Sequence, residues 1–208
     1  MRKTLFSGIA ACLLATAATA AEQSPSVIWT VGQADRSASE FALAPDRFRD
    51  FLANDFGYED KYFLVGHSVP AADFPYVLPG PADTWGGTWP TSGWRTHQVN
   101  ILFGLKEIPS DGTCTLVVDL LDYAKNFLPL VKVSVNTQDA KFQLDAPGLS
   151  VADQRKPNQM EKIVDTLSIT GNLAKATPRR LEIPIRPGVL KAGGNEVTIT
   201  VLEGSWIL

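Results

Sequence analysis

The sequence predicts a β-sandwich. Three observations carry this: short β-prone runs recur along most of the chain, turn residues separate them, and only one segment has a convincing helical period. No repeat of fixed period interrupts the pattern. The expected class is therefore all-β with one short helix.

The elements follow in order. Val27 to Val31 reads as a first strand. Pro45 to Asn54 reads as the helix. Pro45 suits a first turn, and Asp46 suits the positive end of a helix dipole. Phe48, Phe51 and Leu52 fall at i, i+3 and i+4, which gives one apolar face, and Gly57 lies just past the end. Lys61 to Val65 is β-prone. Thr96 to Phe103 places Val99, Ile101 and Phe103 on one face. Cys114 to Leu121 is nearly continuous apolar sequence, the pattern of a strand buried on both sides.

Leu130 to Val135 alternates, with Val131, Val133 and Val135 on one face and Lys132 and Ser134 on the other. Asn136 to Asp139 is turn-like, so Ala140 to Leu144 is the expected hairpin partner. Arg180 to Ile185 places Leu181, Ile183 and Ile185 inward. Pro184 removes a ladder donor and marks an edge or bulge. Gly193-Gly194-Asn195 reads as a turn before a last alternating strand, Glu196 to Val201. Between Asp145 and Asn172 the pattern weakens, and Gln154 to Gln159 reads as a surface loop.

Residues 1–20 are set apart. Arg2 and Lys3 form a basic start, Leu5 to Ala17 is an apolar run, and Ala18-Thr19-Ala20 fits a signal-peptidase site. The apolar run falls short of a membrane span. The expectation is export to a periplasm or the exterior, with no membrane attachment after cleavage near Ala20. Ile9-Ala10-Ala11-Cys12 resembles a lipobox. The apolar run before Cys12 is very short, and more follows it, so lipidation is not expected. The processed chain suits one domain, residues 26–208. Cys114 is then the lone cysteine, so no internal disulfide is possible. Its strand-like setting suggests a buried, inert thiol. A net charge of -3 and the lack of any basic run argue against nucleic acid as a partner.

One stretch stands out. Asp73 to Arg95 holds three of the five tryptophans, is broken by Gly and Pro, and has no helical or strand period. A loop longer than about 12–15 residues in a compact domain is usually functional or disordered, and disordered segments are poor in aromatics. Indole and phenol rings offer flat apolar faces to the C–H faces of sugars, and nearby polar groups bond the hydroxyls. Tyr76, Trp85, Trp89 and Trp94 are the candidate platforms. Asp83, Arg95 and His97 are their polar partners, and Arg95 suits a uronate carboxylate in bidentate fashion. The plain alternative is that these rings plug one end of the sandwich.

Other chemistry finds less support. His67, Asp73, Asp83 and His97 lack any metal-ligand spacing, so no cofactor is expected. A structural calcium is conceivable but has no locating signal. No G-x-S-x-G elbow exists. Glu59-Asp60 and Asp119/Asp122 are the carboxylates open to a hydrolase reading, and His97 with Arg95 to a lyase reading.

The order of short motifs resembles a known family. Trp29-Thr30-Val31-Gly32-Gln33-Ala34-Asp35 resembles the Trp-x-x-Gly-x-x-Asp opening of domain III of rhamnogalacturonan lyases, polysaccharide lyase family 4. Val65-Gly66-His67-Ser68 followed by Asp73-Phe74-Pro75 is similar to its next segment. Ile183-Pro184, then Gly194-Asn195, then Gly204-Ser205-Trp206 is similar to its closing segment. The resemblance covers most of Ser26 to Leu208. It implies a jelly roll of the galactose-binding type, accessory in those lyases, with catalysis on a different domain. It also implies that Asp73-Phe74-Pro75 serves the fold, which narrows the sugar-facing candidates to Asp83 through His97. In the family the pattern runs into a further strand after Gly-Ser, whereas here Trp206-Ile207-Leu208 closes the sequence, so that strand is expected to be missing. The expected function is non-catalytic recognition of a plant-cell-wall, pectic polysaccharide. The alternatives are a structural accessory domain or fragment of a larger polysaccharide lyase, partnered with a catalytic lyase subunit or domain and making no sugar contact of its own, and a stand-alone polysaccharide lyase or glycoside hydrolase.

Overall fold

The computed structural model describes residues 26–53, 60–83, 97–109, 113–125, 127–145 and 169–208. Among these residues seven strands form two sheets: β1 (Lys61–Leu64), β2 (Gln98–Leu105), β3 (Thr115–Leu120), β4 (Leu130–Val135), β5 (Gln138–Gln143), β6 (Arg179–Pro184) and β7 (Gly193–Glu203). The five-stranded sheet has the order β1-β2-β7-β4-β5, and β3 pairs with β6 in the second. This is the expected all-β sandwich.

β7 is the centre of the larger sheet and runs antiparallel to both β2 and β4. Its register sets Val197 opposite Ile101 and Val135, and Ile199 opposite Val99 and Val133. Period-2 alternation therefore sends Val99, Ile101 and Phe103 of β2, Val131, Val133 and Val135 of β4, and Val197, Ile199 and Val201 of β7 to one buried face. Leu181 and Ile183 of β6 and Leu120 of β3 meet them in one core. β1 pairs with β2 in parallel, with Phe63 inward and Tyr62 and Leu64 outward.

A smaller core lies beside the sandwich. Pro45–Arg47 forms a 3-10 turn that runs into helix α1 (Phe48–Ala53), with Pro45 in its first turn as expected. Phe51 is fully buried and meets Tyr76 edge-on, with ring centroids 5.2 Å apart. Trp206 and Leu208 join the same cluster. Asn54 and Gly57 lie outside the described residues, as do the proposed leader and Gln154 to Gln159.

Several local expectations change. Val27 to Val31 forms no strand and pairs with none among the described residues. Trp29 packs its ring 5.2 Å from that of Phe103, while Val27 and Ile28 face solvent. β3 is not buried on both sides: it belongs to a two-stranded sheet, and Val117 faces outward. Cys114 is accordingly half-buried rather than buried. The β4–β5 hairpin is tighter than expected, with only Asn136-Thr137 between the strands and Asn136 at φ 48°. Asn tolerates that left-handed conformation better than most residues. Gly193-Gly194-Asn195 lies inside β7, because Leu105, Gly104 and Phe103 continue the β2 ladder opposite them. Pro70–Asp73 forms an additional single helical turn, α2, which the sequence pattern did not signal.

The end of the chain is tied down. Ile207 bridges Leu78 on one side and Tyr123 on the other. Leu208 donates its N–H to the Asp122 carbonyl at 2.9 Å and accepts from the Leu121 N–H at 2.7 Å.

Candidate functional site

The tryptophan-bearing stretch leaves the described structure at Asp83 and re-enters at His97. Both points belong to one end of the sandwich. β2 starts at Gln98, which lies opposite Thr200, so its start faces the finish of β7. Beyond β7, Gly204 and Ser205 receive the segment that leads to Asp83. Ala82 N–H donates to the Gly204 carbonyl at 2.9 Å, and Leu78 and Ile207 exchange backbone bonds at 2.9 and 3.0 Å.

This docking requires two glycines. A Cβ on Gly80 would sit 2.4 Å from the Gly204 carbonyl oxygen. Gly204 itself has φ 81°, and a Cβ there would lie 2.3 Å from the Leu128 carbonyl oxygen. Only residues without a Cβ let three backbones approach so closely.

Asp83 closes the anchor. It is 8% exposed. Its Oδ2 accepts from the Gly80 N–H at 2.8 Å, its Oδ1 accepts from the Ser205 hydroxyl, and its own N–H donates to the Gly80 carbonyl at 3.0 Å. A carboxylate removed from water is tolerable when donors replace its hydration. Here those donors hold Asp83 against Gly80 and Ser205. At the other point of entry, His97 is 1% exposed, and the next amide, Gln98 N–H, donates to Asp60 Oδ1 at 3.2 Å.

The structure thus divides the seven candidate residues. Tyr76, expected as a platform, lies in the smaller core. It is 4% exposed, its ring meets Phe51, and its hydroxyl donates to the Ile169 carbonyl at 3.2 Å. Burial pushes its phenol well above the ordinary range. In this position it has no free face for a sugar. Asp83 and His97, expected as sugar partners, are buried at the two ends of the stretch. Trp85, Trp89, Trp94 and Arg95 lie outside the described residues. Sequence reasoning missed Ser205 and Gly80, whose roles depend on contacts across the chain. It also missed Tyr62, an aromatic ring 61% exposed on the outer face of β1. Its alternating position in Lys61 to Leu64, opposite to Phe63, is the signal that could have found it.

Of the carboxylates considered for catalysis, Asp60, Asp119 and Asp122 have structural partners, and Glu59 lies outside the described residues. Asp119 receives both Nε and Nη2 of Arg180, at 2.7 and 2.8 Å. Asp122 is buried, pairs with the Lys125 ammonium, and accepts from the Thr177 N–H at 3.0 Å. Asp73, at the end of α2, accepts from the Val69 N–H at 2.7 Å. Among the described residues no group of three or more His, Cys, Asp or Glu side chains is placed to hold a metal ion. No helix among them is long and apolar enough to cross a membrane.

Compared with known protein families, residues 27–207 match the family described as CBM-like: Polysaccharide lyase family 4, domain III. The chain belongs to this family. A comparison with curated proteins finds no match.

The motifs that resemble the lyase domain III family now have physical meanings. Trp29 packs on the sandwich, and Gly32, at φ 75°, leaves space that a Cβ would take from the Phe41 ring. Asp35 accepts from the Ser37 N–H at 2.9 Å in a tight turn. Ser68 replaces a missing strand at the edge of β1, since Leu64 N–H donates to its hydroxyl at 3.0 Å and its own N–H donates to the Leu64 carbonyl at 2.8 Å. Phe74 packs edge-on against Phe63 at 5.7 Å. Asn195 of the Gly-x-Asn segment accepts from the Lys191 N–H and donates to two carbonyls. In this domain III chain, Gly204 and Ser205 form the anchor described above, and Trp206 joins the smaller core.

Proposed function

We propose that this chain is an exported, non-catalytic carbohydrate-binding module that recognises a pectic polysaccharide. The observation that carries the reading is the family match over residues 27–207, to a CBM-like domain of a polysaccharide lyase family. The anchored ends of the tryptophan-bearing stretch support it. Asp83 and His97 are buried at one end of the sandwich, and Trp85, Trp89, Trp94 and Arg95 fall between them in sequence.

In this reading the three tryptophans contact pyranose faces, and Arg95 pairs with a uronate carboxylate. Asp83 and His97 hold the ends of the stretch, and Tyr76 supports the core beneath. Affinity electrophoresis through gels of pectic polysaccharide tests it. Wild type is expected to be retarded, and Trp85→Ala, Trp89→Ala and Trp94→Ala to be retarded less while melting at the wild-type temperature. Unchanged mobility of wild type on every pectic polymer sinks the reading.

The leader Met1 to Ala20 belongs to the same proposal. Mass spectrometry of the exported protein is expected to find Ala21 as its first residue. The second reading is a domain that packs on a lyase catalytic domain without touching sugar. The family's place in a polysaccharide lyase favours it. It predicts no retardation, with co-purification of a lyase partner instead.

A further inference from the structure

We draw no further inference here: the strongest candidate, the exposed apolar patch of Tyr62, Leu64 and Val69 along the outer edge of the five-stranded sheet, carries nothing because nothing in the structure shows what covers it.

Discussion

At the scale of single residues, the same amino acid does opposite work in different places. Gly204 sits at φ 81° against the Leu128 carbonyl, whereas Gly104 lies in β2 with open space where a Cβ would go. Gly204→Ala is expected to cost more than about 2 kcal/mol, since the left-handed conformation alone costs an L-residue roughly 1–2 kcal/mol. Gly104→Ala is expected to be neutral or to stabilise by up to about 1 kcal/mol, because it stiffens the unfolded chain without strain. Urea denaturation of both variants checks the contrast. Equal effects would contradict the close approach at Gly80 and Gly204.

Ser205→Ala removes a donor from a buried carboxylate and is expected to cost about 1–3 kcal/mol. A loss below a few tenths would mean that Asp83 finds another donor. Asp119 gives a pH test. Its hydrogen bonds from Arg180 hold its carboxyl below the usual carboxylate range. A depressed folded value contributes stability above the unfolded value of about 3.9, and that contribution is lost as pH falls through the folded value. The pair is largely exposed, so the effect is small and screened by salt. Asp119→Asn should therefore sit slightly below wild type at neutral pH and converge with it in acid. A gap that widens in acid would reverse the assignment.

At the scale of elements, two sheets are joined by side chains that imitate backbone. Gln138 starts β5, yet its amide donates to the Pro184 carbonyl at 2.8 Å and accepts from the Arg186 N–H at 2.9 Å, at the end of β6. Asn136 joins the hairpin turn to two other segments: its amide donates to the Val189 carbonyl at 2.7 Å and to Asn195 Oδ1 at 2.8 Å, and its Oδ1 accepts from the Glu196 N–H at 2.9 Å. Gln138→Ala leaves the part-buried Pro184 carbonyl and Arg186 N–H without these partners and is expected to cost about 1 kcal/mol.

Hydrogen exchange reads the hierarchy of elements. β7 is the middle strand, and both its neighbours, β2 and β4, are themselves paired on their far sides, so Val197 to Val201 are expected to exchange most slowly. The pair β3 and β6 is expected to exchange faster. The reverse order would place the stable unit in the smaller sheet.

At the scale of the whole molecule, charge and recognition pull in different directions. The chain carries a net charge of -3, and a pectic polymer rich in uronate is also anionic. Long-range attraction therefore does not drive the proposed binding, and local stacking with one cation must. Arg95→Ala is expected to weaken retardation on uronate-rich polymers more than on neutral ones. Arg95→Lys is expected to restore it only in part, since an ammonium lacks the bidentate fork. Equal loss on both polymer classes would remove Arg95 from the carboxylate role.

Alternation by itself determined most of the large sheet. Val99, Ile101 and Phe103, or Val131, Val133 and Val135, can bury a common face only as strands, and the structure buries them so. The Pro45 helix start was legible for the same local reason. Partners were not legible. A near-continuous apolar run such as Cys114 to Leu121 looks the same whether one or two layers cover it, and only the tertiary structure decided on one. Val27 to Val31 has strand propensity, but a strand needs a neighbour. At the candidate site, the sequence singled out Tyr76, Asp83 and His97 as chemistry-bearing residues near tryptophans. The fold buried all three, and for two of them the cause is a residue remote in sequence: Phe51 packs on Tyr76, and Ser205 donates to Asp83. Residue type and period are local properties; burial is a property of what packs on top.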